Sequence, residues 1–142
     1  MDAERLAEAG VRFFAVFDGN DAVAMGALKP LTGSKGELKS MHVHPAFRGK
    51  GFADAILERL LDEARAAGMT RVSLETGSQD AFAPARAFYL RHGFSACPPF
   101  EGYSEDPNSV FLSRPISIAF NDQSFDRSAR KRATNSVFSS DA

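Results

Sequence analysis

Along the chain the spacing of apolar and polar residues changes several times, and each change marks an element. VRFFAVFD (11–18) and AVAMGALKPL (22–31) are rich in β-branched, aromatic and small apolar residues, and GND, a hairpin-type turn, separates them. They predict an antiparallel pair, with Pro30 closing the second strand. After the turn LTGSKG, ELKSMHVH (37–44) predicts a third strand ending at Pro45. The period then lengthens to three and four. Ala53, Ile56, Leu57, Leu60, Leu61 and Ala64 form one apolar stripe, that of a helix running to about Ala67 with Gly68 as its stop. RVSLET (71–76) reads as a short buried strand and GSQD as the turn after it. AFAPARAFYLRHGF (81–94) predicts a second helix, with Pro84 tolerable only near its first turn and Gly93 at its end. A polar loop, EGYSEDPN, suited to ordering around a ligand, leads to a last strand, SVFLSRPI (109–116).

Residues 2–9 have the pattern of one or two helical turns, too short to be stable alone. From about Ser117 the phenylalanines are scattered and no period is sustained, which predicts a domain over 1–116 and a polar, mobile tail over 117–142. The element order is strand, strand, strand, helix, strand, helix, strand. That implies an α/β (α+β) fold: an antiparallel meander followed by a strand–helix–strand crossover.

Composition narrows the role. The 142 residues suit one domain, and 44% hydrophobic with 25% charged residues is a soluble globular balance. A net charge of −1 argues against coating nucleic acid or an acidic membrane. The ARKRA cluster of the tail reads as a solvated charge run, with a nucleic-acid accessory role as the distant option. No apolar run is long enough to span a bilayer, and MDAERLAEAG lacks the apolar core of a signal peptide. The single cysteine, Cys97, allows no internal disulfide and fits a reducing compartment, so the cytoplasm is the expected location.

The segment HPAFRGKGFADAILERLL (44–61) carries the chemistry. Gly49 and Gly51 let the backbone approach a ligand closely, and Arg48 and Lys50 add positive charge at a helix N-terminus, where unpaired N–H groups favour an anion. The Rossmann fingerprint is not met, and the nucleotide-hydrolase loop GxxxxGK[ST] is absent. A glycine-rich turn that merely caps a surface helix remains the plain alternative.

R-G-K-G-F-A resembles the [QR]-x-x-G-x-[GA] motif of the GNAT superfamily of N-acetyltransferases, with Arg48, Gly51 and Ala53 at its defined positions. About forty residues on, A-R-A-F-Y-L-R-H-G-F resembles that family's second cofactor helix through Tyr89, Gly93 and Phe94. The resemblance spans Val11 to Ile116 and is nearest to small bacterial members with LETGS and DPNSVF segments. It implies a mixed, mainly antiparallel central sheet flanked by helices, with acetyl-CoA as co-substrate and an amine, of a small molecule rather than a protein, as acceptor. The coenzyme's pyrophosphate would lie on the backbone of Arg48, Gly49, Lys50, Gly51, Phe52 and Ala53. Its pantetheine arm would pair with the strand ending in Met41, His42 and Val43, and Ala85 and Phe88 would wall the thiol end. Tyr89 would give a proton to the departing thiolate, and a backbone N–H near Met41 to Val43 would polarise the carbonyl.

For the base Glu37 stands slightly ahead of Glu75, which would otherwise meet the substrate, with a plain surface carboxylate as the alternative for both. Glu37, eleven positions before Arg48, stands where several members keep a glutamate, and Glu75 ends the next strand. Either needs its pKa raised by burial to act near neutrality. His42 is a third choice because histidine titrates there unaided. His42 and His44 share a strand face, but no Cys or Asp pattern completes a metal site. Against the family pattern, which opens with a further strand and two helices, the expected first strand is missing and residues 1–10 would supply at most the end of the second helix, while Phe82 stands near the place of a usual asparagine. The sheet edge left bare would be filled by the tail or by a partner, favouring a homodimer. A catalytically weak or inactive coenzyme-binding module needing such a partner is therefore the rival function.

Overall fold

Alternation in the first strand decides which way the sheet faces. In β1 (Arg12–Asp18) Phe14 and Val16 enter the main core, while Phe13 packs on the opposite face with Val11 and Ala27. The computed structural model describes residues 10–117 and the backbone of Val137–Ser139. β2 (Asp21–Leu31) and β3 (Lys35–Val43) complete the meander. α1 (Phe52–Ala66) crosses over to β4 (Arg71–Gly77), and α2 (Ala83–Arg91) leads to β5 (Ser95–Ala96), β6 (Ser109–Pro115) and β7 (Val137–Ser139). The sheet order is β5-β6-β4-β3-β2-β1-β7, antiparallel throughout except where β3 meets β4.

The stripe on α1 is buried as its period predicts: Ile56, Leu57, Leu60, Leu61 and Ala64 close over Phe14, Val16, Val23, Leu28, Leu38 and Val72. Both helices stop in the same way. Gly68 and Gly93 take left-handed φ values of 82° and 89°. Met69 N–H then reaches Ala64 C=O and Phe94 N–H reaches Tyr89 C=O, so a terminal carbonyl is satisfied and an apolar residue is turned back into the core.

Three elements start more than one residue away from the sequence reading, and two short strands are new. β3 begins two residues earlier, at Lys35, because it pairs with Leu31 across the tight turn. α1 begins only at Phe52: Pro45–Phe47 forms a separate 3₁₀ turn, and left-handed Gly49 and Gly51 interrupt the backbone before the helix. α2 covers 83–91 rather than 81–94, since Pro84 fits the first turn and Asp80–Phe82 forms its own 3₁₀ turn. β5 and β7 are two and three residues long, too short to leave a period.

β7 pairs with β1, Phe14 opposite Ser139 and Val16 opposite Val137, so this part of the tail occupies the edge that the sequence leaves bare. The rest of the tail, including ARKRA, and the turns expected at 2–9 lie outside the described residues. Among the described residues no helix is long and apolar enough to cross a membrane.

Candidate active site

β3 and β4 pair in parallel only from Lys35–Arg71 to Glu37–Ser73. Beyond Glu37 the two strands part, β3 continuing to Val43 and β4 to Gly77. The cause is local. Ser40 takes φ 57°, and a bulge sets Ser40 and Met41 against the single residue Gly26 of β2. Gly26 leaves room there: a Cβ would come within 2.7 Å of Leu60 Cδ1 and 2.8 Å of Met41 Sδ, and those side chains would have to shift. From Leu38 onwards β3 has no strand opposite it on the β4 side, so its backbone is open to an extended ligand. The opening is a cleft of about 530 Å³ lined by Lys39, Met41, Glu75, Phe82, Ala85 and Tyr89 among others.

β3 leads directly into the glycine turn. His44 N–H fastens the strand end to Val23 C=O at 2.8 Å, and its Nδ1 accepts from Ala46 N–H at 3.1 Å. Arg48 Nε donates to Val43 C=O at 3.2 Å. Gly49 and Gly51 have φ 77° and 89°, and a Cβ at either would meet nothing within 4 Å, so the turn presents bare backbone. Gly51 caps α1 without a side-chain acceptor, and the first intrahelical bond runs from Ala55 N–H to Gly51 C=O. The amides of Phe52, Ala53 and Asp54 thus precede the helix's own ladder and are the groups an anion would take. Lys50 stands 5.9 Å over the Phe47 ring. Asp54 turns aside to His92, 2.6 Å away, whose ring lies 4.6 Å from Phe88. The residues fit a polyanionic coenzyme at this end.

Tyr89 is the one buried residue of α2 and lines the cleft. Burial pushes its phenol up to about 12, so it holds its proton at neutral pH and is a donor there. Glu75 also lines the cleft and accepts from Ser109 Oγ at 2.7 Å. Glu37 lies behind the cleft wall: it is 2% exposed, accepts from the Tyr103 hydroxyl at 2.6 Å and sits 3.4 Å from Lys39 Nζ. His42 is exposed on β3 and Phe88 packs on Tyr89 and His92, and neither lines the cleft.

Sequence reasoning missed Lys39, Tyr103 and Ser109. The signal for two of them was the loop before β6, whose aromatic residue is Tyr103 and which runs directly into Ser109 at the start of that strand. The LETGS and DPNSVF segments, far apart along the chain, meet in the fold. Ser78 N–H and Oγ bind Asn108 C=O and Pro107 C=O at 3.1 and 2.6 Å, stitching the two loops into one rim. Arg86 Nη1 donates to Gly77 and Gln79 carbonyls from α2 and holds the same turn.

Comparison with known proteins gives this geometry a context. The description "Acetyltransferase (GNAT) family" matches residues 1–94. The chain is 41% identical over 116 residues to the uncharacterized N-acetyltransferase YsnE of Bacillus subtilis, covering 82% of this chain and 77% of that protein. Among solved structures, a Klebsiella pneumoniae protein provisionally described as an acyl-CoA N-acyltransferase superposes with a TM-score of 0.75 at 30% identity, covering 82% and 80% of the two chains. A Bacillus subtilis acetyltransferase in complex with CoA gives a TM-score of 0.67 at 15% identity, over 80% and 82%, a likeness of fold alone.

Proposed function

The chain belongs to the GNAT acetyltransferase family, and from that premise we propose that it transfers an acetyl group from acetyl-CoA to a primary amine of a small molecule by direct attack. The observation that carries the reading is the continuity of three parts: the splayed edge of β3, the bare glycine turn that follows it, and Tyr89 in the cleft between β3 and β4. Relatives named N-acetyltransferase and a CoA-bound structure of the same fold support it.

Acetyl-CoA supplies an activated acyl group and a thiolate as leaving group. The amides of Gly49 to Asp54 hold phosphate oxygens, helped by the α1 dipole and the charges of Arg48 and Lys50. The open edge of β3 takes the pantetheine amides as a sheet takes a strand, and a backbone N–H near Met41 to Val43 supports the carbonyl oxygen as negative charge develops. Tyr89, protonated at neutrality, gives its proton to the sulfur and is reprotonated through solvent by the second proton, which the amine nitrogen sheds once it has attacked. Glu75 at the cleft wall attracts the cationic acceptor, and Glu37 takes up the proton the amine must lose.

Calorimetric titration of acetyl-CoA into the wild type and into Gly51→Glu tests the cofactor half. Binding by the wild type, lost in a folded variant with a carboxylate among the phosphate-binding amides, is the expected result. Thiol release with benzylamine, spermidine, L-alanine and L-phenylalanine then tests turnover. A folded wild type that does not bind acetyl-CoA overturns the reading. Binding without turnover favours a coenzyme-binding module.

A further inference from the structure

Glu37 has an unusual position for a group that is to deprotonate an acceptor. It is buried to 2% exposure whereas Tyr103 is half-buried, and neither lines the cleft itself. Its exits are two side chains: the Tyr103 hydroxyl, donating to Oε2 at 2.6 Å, and Lys39 Nζ, 3.4 Å from both that oxygen and the Tyr103 hydroxyl. Lys39 itself lines the cleft. Tyr103 belongs to the loop before β6, which is built to hold it: its ring packs edge-on against Phe100 at 4.9 Å and Phe111 at 5.5 Å, and its N–H closes a turn on Phe100 C=O. Resting on the acetyltransferase reading above, we propose that Tyr103 is the relay through which Glu37 acts, so that the phenol and not the carboxylate meets the acceptor amine.

The step balances without a further reactant. The acceptor's ammonium passes one proton to the Tyr103 oxygen while the Tyr103 O–H bond breaks and its proton moves to Glu37 Oε2. The amine is left neutral with a free lone pair, the tyrosine is unchanged, and Glu37 becomes a carboxylic acid that returns its proton to solvent by the same path. The charged groups around the phenol are Glu37 and Lys39 on β3 and Glu75 on β4. Lys39 offsets negative charge on the phenol oxygen as the proton passes. Burial first, then the hydrogen bond to Glu37, push the Tyr103 phenol well above the ordinary tyrosine range, so it enters the cycle protonated and donating.

Two arms test this. The chain has two tyrosines and no tryptophan, so in Tyr89→Phe the tyrosinate absorbance reports Tyr103 alone. Its midpoint is expected above the ordinary 10.0, and Glu37→Gln in that background is expected to lower it by about one pH unit. An unchanged midpoint overturns the contact on which the relay depends. In the second arm kcat and KM are followed against pH with acetyl-CoA and whichever of the four amines above the wild type acetylates fastest. Tyr103→Phe and Glu37→Gln should each lower kcat about 10²-fold near neutrality with little change in KM, and both losses should shrink as pH rises and free amine is supplied. The double variant should be no worse than either single one, as expected of groups acting as a unit. Full activity in Tyr103→Phe beside an impaired Glu37→Gln, or losses that multiply, overturns the relay alone. Full activity in Glu37→Gln removes the base role itself, and the relay with it.

Discussion

The two ends of the cleft are built from different material. The proposed coenzyme end is backbone: a bulge at Ser40, an unpaired stretch of β3, and two left-handed glycines before α1. The proposed acceptor end is side chain: Lys39 and Glu75 line it from two strands, and behind Lys39 stand Glu37 and Tyr103, more than sixty residues apart along the chain. A backbone site serves a coenzyme whose phosphates and amides are the same in every reaction, and it survives changes of most side chains. A side-chain site can be changed one residue at a time, which is how one fold takes different acceptors.

This contrast has a sharp consequence for mutation. The largest effect is expected at Gly51. Gly51→Val forces a β-branched residue to φ 89° and crowds the phosphate amides, so the Kd for acetyl-CoA should rise about 100-fold or more by calorimetry. Lys50→Ala removes a full charge from the same turn, yet should raise Kd only about 3- to 10-fold, because an exposed cation is screened. If the two variants lose affinity equally, the coenzyme end is held by charge and the contrast fails.

Next comes Tyr89→Phe. Among the described residues the Tyr89 hydroxyl has no hydrogen bond, so removing it leaves the core filled and the coenzyme edge intact. Steady-state kinetics should show kcat lowered about 10²-fold with acetyl-CoA affinity within about twofold of wild type. A parallel loss of affinity would mean that Tyr89 shapes the coenzyme wall instead of serving the reaction. Stability should respond to pH as well. The folded phenol titrates near 12 and the unfolded one near 10.0, so the contribution is whole below 10 and is lost as pH rises toward 12. Urea midpoints across that range should fall more steeply in the wild type than in Tyr89→Phe.

The same division explains what the sequence could disclose. The glycine turn was legible because its parts are local: glycines at fixed spacing, a strand before them, an amphipathic helix after them. The Gly68 and Gly93 stops were legible for the same reason. The bulge at Ser40 was not, since it depends on Gly26 one strand away and on what Leu60 and Met41 leave room for. Glu37 was readable as a candidate by its place on β3, but not its burial, which comes from side chains far along the chain. Tyr103 left only the hint of an aromatic residue in a polar loop. Side-chain sites depend on contacts of long sequence separation, and no period in the chain encodes them.

The smallest effect is expected where the acceptor loop is fastened to the sheet. Thr32, in the turn between β2 and β3, donates to Glu101 Oε1 from its amide at 3.1 Å and from its hydroxyl at 2.6 Å. Those bonds, with weaker help from Lys29 and Lys35, hold the Glu101 carboxyl below its ordinary 4.5. Glu101 is two residues from Tyr103, so the clasp restrains the loop that carries the phenol. Thr32→Val keeps the amide and loses the hydroxyl. The acceptor KM should rise about twofold with acetyl-CoA affinity unchanged, a loss far smaller than at the relay because the aromatic packing of the loop remains. The sign with pH follows from the lowered carboxyl: its stabilising contribution is present above 4.5 and is lost as pH falls through the lower folded value. Melting temperatures of wild type and Thr32→Val should therefore differ slightly at neutral pH and converge in acid. A gap that persists in acid would trace the effect to how the substituted side chain packs in the turn, and the acceptor loop would then be held by its aromatic contacts without the clasp.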